Sequence, residues 1–523
     1  MLRGWRGVMG TTAVTGIALA GFLAGWGDAP AAQHQPGGLR VHNGWLCHGD
    51  DLVWGWIQHN GWWRPGQRPN LCRRSVGDPE GDVRPNRTED LDQLTDNMLR
   101  YGYPGFEHNY GLWFDRRRDA HDTGPRESAD VAPPFLEQPW ARSQEGRAAD
   151  GLPRYDLTRF NDWYFGRLEE FASLCDRKGT VLFHCYYMQH ALLETQAHYV
   201  DFPWRPGNCV QDTGMPDQNP AANAFYDISD PTRRDLHRLY IRRCLRSLGQ
   251  YRNVVHQVSQ EYTGGREFVE FWLDTLMEWQ RETGQHILVS LGAPKDVTDA
   301  ILADPTREPA IDVLDLRCWH INRAGELVAI PGGQEIPGRY IASGSQQSQD
   351  SSPQWIYRKT RVYRDAYPDK AIMDAVGQSR EQTWASFMAG GSMVVAGQIE
   401  YPGQIDPPEY VQPAGVEEIL PTYRFIRERL SRELPGMAPA DIVLSDADSV
   451  WCLAHPDGTL LAYTLLGEPI RLTVPGGDAP LTARWLDPRT GELLEAGEAE
   501  PGSTVEASPP GDGDWALWLS PRG

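Results

Sequence analysis

Between Asn253 and Tyr262 the chain reads Asn-Val-Val-His-Gln-Val-Ser-Gln-Glu-Tyr. A β-prone apolar run that closes on an amide, Gln260, and a carboxyl, Glu261, is the pattern of a buried strand delivering polar groups at its C-terminal end. Partial desolvation at such a place raises a carboxyl's pKa and lets it act as a general acid. The neighbouring amide suits a hydroxyl or a bound carboxylate. Glu261 is therefore the first catalytic candidate, with a loop cap or an Arg partner as the plain structural alternative.

Cleavage of a glycosidic bond needs a second carboxylate. It stands about 5–5.5 Å away if it attacks directly and about 6.5–9.5 Å away if it activates water. Asp374, which ends Ala371-Ile-Met-Asp, is the positional choice, and Glu107 and Glu400 compete with it. The segment from Glu107 through His108, Trp113 and Arg116 to His121 is rich in polar groups and aromatics. Its three consecutive arginines, Arg116 to Arg118, suit either a salt-bridged scaffold or an anionic sugar. His184 and Tyr186 near the end of one strand, and Trp319 and His320 at the end of another, are candidates for binding hydroxyls or orienting a carboxylate. His108, His184 and His320 also raise a metal alternative, but no His-x-His or His-Glu-x-x-His pair accompanies them. No metal or cofactor is expected.

The elements that would hold these groups alternate. A hairpin over Gly44–Trp56 is followed by a helix at Glu89–Tyr101 and a strand within Tyr103–Trp113. A helix from Asp156 to Cys175, the strand Thr180–Tyr187 and the helix Pro231–Leu248 come next. Strand Val254–Val258, helix Glu267–Glu282, strand His286–Leu291, helix Asp296–Ala303 and strand Val313–Trp319 continue the series. Helix Gln354–Ala366, strand Ala371–Ala375, helix Arg380–Met388, strand Met393–Ala396 and helix Val416–Leu430 complete it. Counting the hairpin's second strand, eight strand–helix units predict a (β/α)8 TIM barrel over residues 32–435, with its long polar excursions after strand ends. No Gly-x-Gly-x-x-Gly follows the first strand to favour a doubly wound sheet. Past Pro435 short β-prone segments separated by Gly and Pro turns predict a small antiparallel β-sandwich over residues 436–523.

The chain has 523 residues and a formal net charge of -21, which argues against non-specific binding to nucleic acid or anionic lipid. Its 20 Trp and 20 Tyr supply flat faces suited to sugar rings, although most belong in a core. Arg3 and Arg6, the apolar stretch Val8–Trp26 and Ala29-Pro30-Ala31 have the order of an export signal covering residues 1–31. The expectation is a secreted or periplasmic protein with no membrane anchor after cleavage. Cys47 and Cys72 are candidates for a bridge, and Cys175, Cys185, Cys244 and Cys318 for buried thiols.

With a carboxyl ending strand four and another ending strand seven, the chain resembles clan A glycoside hydrolases. It is more closely similar to apiosidase-like enzymes, bacterial barrels followed by a collagen-binding-type domain. Ala483-Arg-Trp-Leu-Asp-Pro-Arg-Thr-Gly491 and Pro509-Pro-Gly-Asp-Gly-Asp-Trp515 are similar to that domain's phrases. The resemblance implies a glycosidase acting on a plant, algal or microbial polysaccharide or oligosaccharide, with Glu261 as acid/base and Asp374 as nucleophile or base. Two positions depart from it. Gln260 stands where clan A has Asn, and Ala375-Val376 occupy the places where its strand-seven carboxylate falls. A non-catalytic carbohydrate-binding or scaffold protein on the same barrel is the reading from another class.

Overall fold

The computed structural model describes residues 38–49, 51–55, 57–59, 91–101, 104–109, 119–120, 124–125, 138–187, 192, 199–259, 262, 264–317, 319–321, 325–329, 352–374, 379–394, 418–445 and 448–521. The candidate residues Trp113, Arg116, Gln260, Glu261 and Glu400 lie outside them, as do the expected export signal, Cys72 and Cys318. Of His320 only the backbone is described.

Eight parallel strands form one sheet in sequential order. They are Ile57–His59, Gly105–Asn109, Val181–Tyr187, Val254–Ser259, Leu288–Leu291, Val313–Asp315, Ala371–Asp374 and Met393–Val394, here strands one to eight. Among the described residues no pairing joins strand one to strand eight. The sheet is nevertheless curled. Strands two and six stand four places apart, about 19 Å in a flat sheet at the usual strand spacing. Yet Glu107 on strand two and Arg317, just past strand six, are ion-paired at 2.6 Å. That separation exceeds the joint reach of the two side chains, so the strands must bend toward each other.

Alternation along each strand divides the side chains between two faces. Val181, Phe183, Val255, Leu288, Val313, Ala371 and Met373 share one cluster with Leu39, Leu46 and Val53. This is the inner face, with residues of the N-terminal hairpin region packed against it. Leu182, Tyr186, Val254, Val258, Val289, Leu291, Leu314 and Ile372 belong instead to the large core that includes the helices. Helix Pro231–Leu248 begins with Pro at its first turn and the Asp230 carboxylate on the backbone N–H of Arg233. Helix Arg380–Met388 opens with a capping box between Ser379 and Gln382. Both lie where their sequence signals put them.

Several boundaries differ from the sequence expectations. The hairpin does not supply the first barrel strand. Leu39–His42, Trp45–His48 and Asp51–Leu52 form their own antiparallel sheet, and Ile57–His59 after it is strand one. Asp156 does not cap a helix, because Tyr155–Phe160 is a strand paired with Trp140–Arg142. The Asp156 carboxylate accepts from the Thr158 N–H and hydroxyl and from Gln211, while Asn161 caps the helix Asp162–Lys178. Strand six stops at Asp315. Trp319–Ile321 instead pairs with Leu327–Ala329 as a separate hairpin. The last barrel helix is Leu420–Phe425, passing into a π-helical turn over Ile426–Leu430.

The C-terminal region folds as a six-stranded antiparallel sheet and a two-stranded one, Ile470–Thr473 with Thr504–Ala507. One cluster joins the two sheets, including Cys452, Leu472, Trp485 and Leu517. The opposite face packs on barrel helices. Tyr463 stacks on Trp384 with centroids 4.9 Å apart, Trp451 stacks on Tyr357 at 4.6 Å, and Arg380 binds Asp514.

Candidate functional site

A buried polar cluster crosses the inner face of the sheet. Arg317 donates from Nη2 to Glu107 Oε1 at 2.6 Å and from Nη1 to Oε2 at 3.2 Å. Its Nε donates to Asp315 Oδ2 at 2.6 Å, and its backbone N–H to Asp315 Oδ1 at 3.1 Å. Gln257 on strand four donates to the same Asp315 Oδ2 at 3.1 Å, and Cys185 on strand three lies 3.8 Å from Glu107 Oε1. Gly292, after strand five, leaves room for this meeting, since a Cβ there would stand 3.2 Å from Asp315 Oδ2 and 3.4 Å from Gln257 Nε2.

The electrostatics follow from that geometry. Burial opposes the charge on Arg317, and Asp315 and Glu107 more than offset it, holding the guanidinium well above its ordinary pKa. Burial, with Glu107 beside it, pushes the Cys185 thiol well up and keeps it protonated. Gln257 Oε1 and Ser290 Oγ, whose residues are register partners on strands four and five, are buried without a hydrogen-bond partner. The inner face therefore retains unused acceptor and donor capacity next to fixed charges.

Of the described residues taken from the sequence as candidate site residues, Glu107 joins this cluster, together with Cys185, expected as a buried thiol. Asp374 is buried on the face of Ile372, opposite Met373. Lys359, from helix Pro353–Ala366, approaches its carboxylate at 2.9 Å and also donates to the backbone oxygen of Trp319. Asp374 thus ties a barrel helix to its strand. Trp319 is also structural, with Nε1 on the Ala293 carbonyl and its ring 4.4 Å from that of Tyr363.

His108, His184 and His256 are register partners on strands two, three and four. They do not meet at the barrel mouth. The His108 ring lies edge-on to Phe171 of helix Asp162–Lys178, and the His184 ring stacks on His108 at 5.7 Å. His256 Nδ1 is 2.8 Å from the Tyr186 hydroxyl, whose ring meets Trp272 of helix Arg266–Thr283. Burial lowers the pKa of His184 to about 3, with His256 adding to the effect, and burial alone lowers His256 to about 3. Both imidazoles are neutral parts of the helix-facing core. Among the described residues no cluster of His, Cys, Asp or Glu fits a metal ion.

The described residues next to positions 260 and 261 are held in the core. Ser259 ends strand four. Tyr262 is buried against Tyr226 and Phe268, with its hydroxyl on the Gly265 carbonyl at 2.7 Å. Gly264 permits that packing, since a Cβ there would come within 2.3 Å of the Tyr262 hydroxyl. Phe225 and Tyr226, from the excursion between strands three and four, pack against Tyr187, so the excursion builds an aromatic wall beside the end of strand four.

The sequence reading did not single out Asp315, Arg317 or Gln257. The available signal was the pair of charges in Asp315-Leu-Arg317, where an otherwise apolar strand ends. Together the curled parallel sheet, its helical layer and the charged inner face define an α/β-barrel-type protein. The chain belongs to the DUF6298 family, described as "Domain of unknown function (DUF6298)", whose model matches residues 27–404. Among curated proteins none matches the sequence. A solved structure described as a glycoside hydrolase is similar at 12% identity, over 93% of this chain and 98% of that one, with a TM-score of 0.51. A glycoside hydrolase family 5 structure from Bacteroides vulgatus ATCC 8482 is similar at 11% identity, over 93% and 94%, with a TM-score of 0.53. These likenesses concern the fold.

Proposed function

We propose that the chain is an exported glycoside hydrolase that cleaves a glycosidic bond in a polysaccharide or oligosaccharide, on a sheet closed into a full barrel, with Glu261 as general acid/base. The observation that carries this reading is the alternation along strand four. Val255 belongs to the inner cluster and Gln257 reaches Asp315 across it, whereas Val254 and Val258 belong to the helix-facing core. Read on in the sequence, the same period of two assigns Glu261 to the inner set, at the strand end from which barrel enzymes draw their chemistry. The glycoside hydrolases that share the fold support the substrate class.

Within this reading the second carboxylate comes from the inner face or from beyond strand eight. Glu107, ion-paired with Arg317, is the first to test and Glu400 the second. Replacing Glu261 by Gln is expected to lower kcat about 10²–10⁴-fold on any glycan the wild type hydrolyses, with an unchanged circular dichroism spectrum. An undiminished rate removes Glu261 from the mechanism. One observation favours the non-catalytic alternative: Arg317 binds both Glu107 and Asp315. Binding without hydrolysis across a broad glycan panel would establish that alternative.

A further inference from the structure

Away from the sheet's inner face, a cleft of about 590 Å³ opens where helix Pro353–Ala366 meets the C-terminal domain. The barrel side contributes Trp355, Tyr357, Arg358 and Arg361, and the C-terminal domain contributes Asp441 and Trp451. The volume lies within the range of small-molecule sites, roughly 300–1,000 Å³.

Its chemistry combines flat aromatic surface with fixed, partly solvated hydrogen-bonding groups. Tyr357 stacks on Trp451 with an interplanar angle of 9°, so these two rings cover one another and brace the cleft, leaving Trp355 as its open aromatic ring. Trp355 is half-buried, and the Arg358 guanidinium lies 4.5 Å from its ring centroid. Arg361 donates to the Tyr357 hydroxyl at 2.9 Å, to Asp365 at 3.1 Å and to Asp441 at 3.4 Å. That strip holds its carboxylates in place while leaving the Asp441 side chain 87% exposed. The Trp355 ring can accept the C–H face of a pyranose ring, and the guanidinium and carboxylate groups beside it match vicinal hydroxyls, which donate and accept together. A lipid tail would leave the paired charges idle, having neither donors nor acceptors to meet them.

We infer that this interdomain cleft is a second, non-catalytic glycan-binding site, which holds a polysaccharide chain on the enzyme outside the catalytic site. The inference rests on the reading of the chain as carbohydrate-active. It also gives the C-terminal domain a functional role, since that domain supplies one wall.

The test uses the full-length chain with Trp355→Ala and Arg358→Ala, both at side chains that are not fully buried. Affinity electrophoresis in gels containing arabinoxylan, xyloglucan, galactomannan or alginate reads binding, and a panel of aryl glycosides reads hydrolysis. The expected result is retardation of the wild type by at least one polysaccharide, weakened ten-fold or more in each variant. Aryl-glycoside kcat/KM should stay within two-fold. Equal retardation of wild type and both variants overturns the inference, and so does a wild type that no polysaccharide retards. Loss of aryl-glycoside hydrolysis in folded variants also overturns it, because the cleft would then belong to the catalytic site. If the wild type hydrolyses nothing but its retardation disappears in both variants, the cleft is upheld and the catalytic reading falls.

Discussion

Strands four and seven each carry a buried polar residue near their C-terminal ends, Gln257 and Asp374, and the fold treats the two in opposite ways. On strand four the inner face carries Val255 and Gln257, with Gln257 joined to Asp315 and through it to Arg317 and Glu107. On strand seven the terminal acid is out of phase with the inner residues. Ala371 and Met373 face inward, while Asp374 faces the helices and binds Lys359. A strand-end acid is thus a candidate for chemistry only when its parity matches the inner face. A shift of one residue converts the same side chain into a structural tie.

The two ends should therefore separate stability from catalysis. Glu261→Gln is expected to cost activity by orders of magnitude at little cost in stability. Asp374→Asn should do the reverse, leaving the buried Lys359 ammonium without its counter-charge. Such a loss costs about 3–5 kcal/mol, read as a lower urea midpoint, with kcat per folded molecule within two-fold of wild type. Replacing both partners, Asp374→Leu with Lys359→Met, should recover most of that stability. A fall in kcat of a hundred-fold or more in the well-folded double variant would return Asp374 to the site.

The helix-facing layer of strands three and four predicts a pH dependence of its own. His184, His237 and His256 are fully buried, and burial is the main cause that lowers each to about 3. In the unfolded chain they titrate near 6.5, so between the two values the unfolded state binds more protons. Stability is complete above pH 6.5 and falls as pH drops toward 3. Over the first unit below 6.5 each histidine accounts for about 1 kcal/mol, or about 3 kcal/mol together. Both ring nitrogens of His184 lack a partner, so His184→Phe removes an unsatisfied polar group and should flatten the acid slope by about a third. Urea denaturation at pH 7.0, 6.0 and 5.5 measures this directly, and an unchanged slope in the variant refutes it.

Much of the fold was legible because its signals were local. Pro231 with Asp230, and Ser379 with Gln382, mark helix starts through groups only one to three residues apart. The faces of the strands were not legible in the same way. Strands such as Val-Leu-Phe-His-Cys-Tyr-Tyr and Ala-Ile-Met-Asp are buried on both sides, so no polar alternation records which side is inner. Hence His184 and Asp374 read as site residues and lie in the helical layer. The cluster of Glu107 with Arg317 was equally hidden, because the two are 210 residues apart and meet only when the sheet curls.

The smallest expected effect sharpens the inner-face half of the comparison. Asp315 cannot easily yield to a larger residue at position 292, being held by Arg317 on one side and Gln257 on the other. Gly292→Ala would place a methyl 3.2 Å from Asp315 Oδ2, a crowding expected to cost about 1–2 kcal/mol. Gly166, inside helix Asp162–Lys178, would meet nothing within 4 Å, so Gly166→Ala should stabilise by about 0.5–1 kcal/mol through helix propensity alone. Opposite signs for the two substitutions, read from urea midpoints, would show that the polar cluster is rigid and specifically packed. A neutral Gly292→Ala would mean that Asp315 and Gln257 can part. The inner face would then be too loose to hold the Glu107 carboxylate in a fixed position.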